Sequence, residues 1–190
     1  RVLSLAVPGE DVADALMRLE ARLGAERATP ERRAGTVAAP GAGPLGLGQL
    51  GAVLQRLIPE GAIVVDEGIS GSFTLSPLVA AAAPHDALQL TGGAIGIGPA
   101  LALGAALGAP GRPVVCIVGD GSAVYNLQAL WTQARLNLPV VTIILANRSY
   151  ATLFGEMAAT GANAGPVAEA LFDLGNPALD WRSLARGFGV

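Results

Sequence analysis

Val12, Leu16, Leu19 and Leu23 recur at three- to four-residue spacing across residues 9–23, the repeat of a helix with one apolar face. Asp11 and Asp14 stand at its start, where negative charge suits the helix dipole. One amphipathic helix is expected here. Residues 29–46 are rich in Pro, Gly and Ala, charged at their start and without period, as linkers are. A domain boundary is therefore expected, with residues 1–28 closing a preceding domain and residues 47–190 forming the main one.

Past the linker, helical and strand patterns alternate. Helices are expected at 47–57, 72–82 and 127–136, and strands at 62–65, 87–90, 114–118 and 140–145. A glycine-rich turn leads into a further helix ending near Leu107. Short apolar strands alternating with helices imply an α/β fold, a parallel sheet with helices on both faces. In that architecture ligands bind at the carboxyl ends of the strands.

Composition agrees with a globular chain: 190 residues, 52% hydrophobic and 14% charged, enough for one sizeable core. The net charge is -3 with Lys and Arg scattered, so neither nucleic acid nor an anionic membrane is an expected partner. No apolar stretch reaches the roughly 20 residues of a membrane span. The single cysteine, Cys116, sits in an apolar run and is expected to pack as a small hydrophobe. With no disulfide framework, a cytoplasmic home is favoured. The chain opens on Arg1 and closes on residues 181–190 that read as an unfinished element, so a fragment of a longer protein is expected.

Candidate chemistry gathers at strand ends. These are the segments 66–70 (Asp-Glu-Gly-Ile-Ser), 91–96 (Thr-Gly-Gly-Ala-Ile-Gly), 119–122 (Gly-Asp-Gly-Ser) and 147–150 (Asn-Arg-Ser-Tyr). Between Gly121 and Asn147 lie 25 residues, room for one helix and one strand, which would return Asn147 beside Asp120. A carboxylate, an amide carbonyl and a backbone carbonyl would suit a hard cation such as Mg²⁺. The glycines flanking Asp120 would let backbone amides approach an anion.

Gly-Asp-Gly at 119–121 followed by Asn147 resembles the signature of thiamine-diphosphate enzymes. The run from Gly119 through Trp131 to Tyr150 is most similar to the branch holding benzoylformate decarboxylase and acetolactate synthase. The resemblance covers residues 47–190, the implied cofactor-binding domain. It implies Asp120 and Asn147 as side-chain metal ligands, the Ser149 carbonyl as a third, and Gly121, Ser122, Tyr150 and Ser70 around the diphosphate. A helix N-terminus after Ser122 would favour the same anion. Ser70 reads equally well as the cap of the next helix. Gly93 would present its carbonyl to the aminopyrimidine. Ile95 would hold the cofactor bent, with a core role as the bland alternative.

The resemblance further implies an activating glutamate on a separate pyrimidine-binding domain, normally a neighbouring subunit's, and hence a homodimer or homotetramer. The expected activity is that of a 2-oxo acid decarboxylase or carboligase, acetolactate synthase-like, with a small 2-oxo acid as substrate. Residues 150–156 (Tyr-Ala-Thr-Leu-Phe-Gly-Glu) depart from acetolactate synthases and also from benzoylformate decarboxylases, where an apolar residue is expected near Glu156 to receive an aromatic ring. Three other residues have plain readings: His85 in an exposed turn, Trp131 in core, Glu67 as a cap or a solvated charge. A dinucleotide-binding domain is the rival fold reading, because Gly96-Ile97-Gly98 opens a helix after a strand. Leu101 is too bulky for that fingerprint's third small position. A non-catalytic α/β module is the other rival.

Overall fold

The computed structural model describes residues 4–24 and 45–190. The chain divides into two compact units, residues 1–33 and 34–190. In the first, helix α1 spans Val12–Leu23. Asp11 caps it by accepting from the amides of Ala13 (2.8 Å) and Asp14 (3.2 Å), and Gly24 ends it in the left-handed conformation at φ 58°. The expected linker lies almost wholly outside the described residues.

The second unit runs α2 (Leu47–Leu57), β1 (Ile63–Glu67), α3 (Ser72–Val79), β2 (Asp86–Gln89), α4 (Gly98–Gly108), β3 (Val114–Gly119), α5 (Asp120–Ala123), α6 (Ala129–Arg135), β4 (Val140–Leu145), α7 (Ala151–Ala159), α8 (Pro166–Phe172) and α9 (Trp181–Gly187). A single turn of 3₁₀ helix, Ile69–Gly71, joins β1 to α3. The four strands form one parallel sheet ordered β2-β1-β3-β4.

Alternation along the strands feeds two cores, one on each face. Ile63, Val65, Val114, Cys116 and Val118 pack against Ala102 and Ala106 of α4. Val64 and Ile117 turn the other way, onto Leu54 of α2 and Leu75 and Val79 of α3. The expected α/β fold, helices on both faces of a parallel sheet, is thus the observed one. At about 25 cal/mol per Å² of buried apolar surface, this two-faced core is the main source of stability.

Differences from the expected elements have local causes. Helix α3 stops at Val79, not at Ala82, because the next turn tightens into three-residue bonds from Ala81 to Leu78 and from Ala82 to Val79. Helix α6 starts at Ala129 because residues 126–131 first make turns of the same tight kind. The helix expected directly after Ser122 is instead the short α5, which starts at Asp120 and contains Ser122. Helices α7 and α8 were not foreseen, and neither buries a residue fully. Trp131 is 50% exposed, not core, with the Arg135 guanidinium 5.1 Å from its ring centroid one turn away. His85 is half-buried, its Nδ1 2.8 Å from the Ala83 carbonyl oxygen.

Candidate functional site

Strands β3 and β4 are adjacent and parallel with Gly119 in register with Leu145, so the loops carrying Asp120 and Asn147 leave the sheet side by side. Asp120 is buried. Its Oδ1 accepts from the Gly121 amide at 2.9 Å and its Oδ2 from the Arg148 amide at 2.7 Å. Each oxygen keeps accepting capacity, since a carboxylate offers about four lone-pair sites. Arg148 reaches this bond at φ 58°, a left-handed turn that folds the β4 loop back over β3. Asn147 Oδ1 accepts from the Ser149 amide at 3.0 Å, which fixes that side chain as well.

The β4 loop is pinned from its far side. Tyr150 donates its amide to the Phe172 carbonyl at 2.9 Å, Leu174 donates to the Arg148 carbonyl at 2.8 Å, and Ser149 pairs antiparallel with Asp173. A side chain at 121 would lie 2.5 Å from Tyr150 Cε1, so glycine there is required for the ring to pack over the Asp120 turn. The Gly121 amide is engaged by Asp120 itself, a use that the expected approach of that amide to an anion had not allowed for. Burial first, then the neighbouring Tyr125 and Asp120, pushes the Tyr150 phenol above its ordinary 10.0.

Around these loops opens a cleft of about 950 Å³. All nine residues expected at the site line it: Ser70, Gly93, Ile95, Asp120, Gly121, Ser122, Asn147, Ser149 and Tyr150. Ser70 is exposed and does not cap α3, whose N-cap is Gly71 without a side-chain bond, so the capping alternative is set aside. Ile95 is 37% exposed and belongs to neither core, so its bland reading fails too.

Four further polar residues, none of them lining the cleft, brace the segments around it. Asp66 accepts from the hydroxyls of Ser72 (2.5 Å) and Ser76 (2.6 Å) and from the Gly68 amide (3.0 Å), holding the turn with Ser70. Glu67 is not solvated; from the end of β1 it caps the start of α4. It is 1% exposed and accepts from the amides of Gly96, Ile97 and Gly98. Asn126 Nδ2 donates to the Gly96 carbonyl at 2.8 Å, and Gln133 Nε2 to that of Pro99 at 2.8 Å. The one available signal was two acidic residues together at the end of an apolar strand.

The model of the thiamine pyrophosphate enzyme C-terminal TPP binding domain matches residues 70–190. The chain belongs to this family. IlvX of Mycobacterium tuberculosis, provisionally named an acetolactate synthase large subunit, is 47% identical over 73% of the chain and 27% of its own length. A benzoylformate decarboxylase of Pseudomonas aeruginosa is 36% identical over 73% of the chain and 25% of its own. The structure of a thiamine diphosphate-dependent 4-hydroxybenzoylformate decarboxylase from Rhodococcus jostii superposes with a TM-score of 0.71 and 29% identity, over 94% of this chain and 33% of that one. The chain therefore spans between a quarter and a third of each relative's length.

The donor set fits the family's cofactor. Among the described residues no three His, Cys, Asp or Glu gather as a metal cage. A carboxylate and an amide oxygen at neighbouring strand ends, those of Asp120 and Asn147, would suit a hard cation such as Mg²⁺. Also among the described residues, no helix is long and apolar enough to cross a membrane.

Proposed function

We propose that this chain supplies the diphosphate- and metal-binding half-site of a thiamine-diphosphate- and Mg²⁺-dependent 2-oxo acid decarboxylase or carboligase of the acetolactate synthase type. One observation carries the reading: nine residues chosen from the sequence line a single cleft, with Asp120 and Asn147 at the ends of neighbouring strands.

Asp120 and Asn147 would hold the cation through side-chain oxygens and Ser149 through its carbonyl. Ser70, Gly121, Ser122 and Tyr150 would surround the diphosphate, and the raised phenol of Tyr150 keeps its O–H available as a donor at neutral pH. Gly93 would face the aminopyrimidine and Ile95 would hold the cofactor bent. Bound thiamine diphosphate would supply a nucleophilic carbon for the substrate ketone and take up the electron pair released as carbon dioxide leaves. Leu47, Leu50, Ile144 and Leu145 line the same cleft and would keep water from that chemistry. The activating glutamate would come from the pyrimidine-binding domain of a neighbouring subunit, in a homodimer or homotetramer.

Calorimetry on the intact protein tests this reading. Thiamine diphosphate should bind with Mg²⁺ and not without it, and NAD should not bind. Binding of NAD in place of thiamine diphosphate would end it. A benzoylformate decarboxylase-type activity is the second reading, favoured by the similarity to the Pseudomonas and Rhodococcus enzymes. Against it, Glu156 is exposed where an apolar residue would receive an aromatic ring. Turnover of pyruvate against benzoylformate, with products identified as aldehyde or as coupled hydroxy ketone, separates the two.

A further inference from the structure

We infer that Glu67 is a positioning residue: it fixes the turn that carries Gly93 and Ile95, and so sets where a cofactor's aminopyrimidine would be held in the cleft. The inference rests on the cofactor reading above and adds to it a residue with no expected contact to the cofactor.

Glu67 ends β1 almost fully buried, and no cationic side chain pairs with it among the described residues. A carboxylate in that position stays tolerable only when hydrogen bonds replace its water. Three successive amides do so, Gly96 and Ile97 on Oε1 and Gly98 on Oε2, across about thirty residues of sequence. From the other side, Asn126 holds the Gly96 carbonyl at 2.8 Å. There is no slack: a Cβ at 98 would lie 2.6 Å from Glu67 Oε2. Ile95 directly precedes the first clamped amide and packs in neither core, so its place follows from the backbone of this turn. A glutamine at 67 would aim an NH₂ group at one of the three amides, donor against donor.

The test uses Glu67→Gln and Asn126→Ala in the intact protein. Amide hydrogen exchange is measured without cofactor, thiamine diphosphate is titrated with Mg²⁺, and kcat and KM are taken with pyruvate and benzoylformate as probes. In Glu67→Gln, exchange at residues 96–98 should accelerate while β1 and β3 stay protected. Its kcat should fall roughly 10- to 100-fold, as about 1 Å of misplacement allows, with cofactor affinity within about threefold of wild type. Asn126→Ala should move both readouts the same way by less, and it decides the matter if Glu67→Gln fails to fold. Unchanged exchange at 96–98 in both variants overturns the clamp, as does protection lost evenly across the sheet. If the wild type binds no thiamine diphosphate, the cofactor reading falls, and exchange still judges the clamp alone.

Discussion

Asp66 and Glu67 close β1, and Asp120 follows β3 one strand away, yet the three carboxylates are engaged differently. Asp66 and Glu67 each take three internal donors, from Gly68, Ser72 and Ser76 in one case and from Gly96, Ile97 and Gly98 in the other. Asp120 takes two, one per oxygen, and lines the cleft. Residue type and strand-end position are shared, so neither separates scaffold from ligand site. What separates them is how much accepting capacity the fold leaves open. Asp66 and Glu67 also alternate across the strand, one toward the Ser70 turn and the other toward the Gly93 turn, so two consecutive residues brace opposite walls.

The contrast predicts opposite phenotypes. Asp120→Ala should abolish Mg²⁺-dependent binding of thiamine diphosphate while costing roughly 1–3 kcal/mol of stability, because it leaves the buried Gly121 amide without its acceptor whereas Arg148 is exposed and its amide can turn to water. Asn147→Ala, which removes one neutral oxygen, should weaken binding less. Titration calorimetry beside denaturant unfolding reads both quantities, and unchanged affinity in both variants would defeat the metal assignment.

Glu67→Ala should do the reverse. Two buried amides and the half-buried one of Ile97 lose their acceptor at about 1–3 kcal/mol for each buried group before relaxation, so unfolding free energy should drop by roughly 3 kcal/mol or more. A smaller loss than that of Asp120→Ala would erase the distinction between the two regions.

Ile95 lies on the turn that Glu67 braces and faces the cleft that Asp120 lines. Because it is 37% exposed, Ile95→Ala should cost less than the roughly 2–5 kcal/mol of a buried truncation. Its effect should fall on kcat with cofactor affinity nearly kept. Wild-type turnover in this variant would remove the steric role.

Cys116, in β3, senses the scaffold side. Burial first, then the charges of Glu67 and Asp66, pushes its thiol from 9.0 up to about 12. Between those values the unfolded chain releases the proton and the native one keeps it, so stability should fall as pH rises through that window and not below it. The slope should approach about 1.4 kcal/mol per pH unit. Cys116→Ala should flatten it, and in the native protein at pH 8 the thiol should resist alkylation.

Local chemistry along the chain was enough for the alternation of strands and helices, the parallel sheet, and the four loops that meet at the cleft. Strand periodicity and the Gly-Asp-Gly to Asn147 spacing are near-neighbour properties, and one crossover converts them directly into adjacency. Tertiary structure alone decided which polar residues face ligand and which are consumed within the fold. Glu67 finds its donors about thirty residues downstream, Asp120 takes one of its two from Arg148, and Trp131 lies at the surface despite its apolar helix. Burial and hydrogen-bond saturation depend on partners brought together by the sheet, and no periodicity in the chain encodes them.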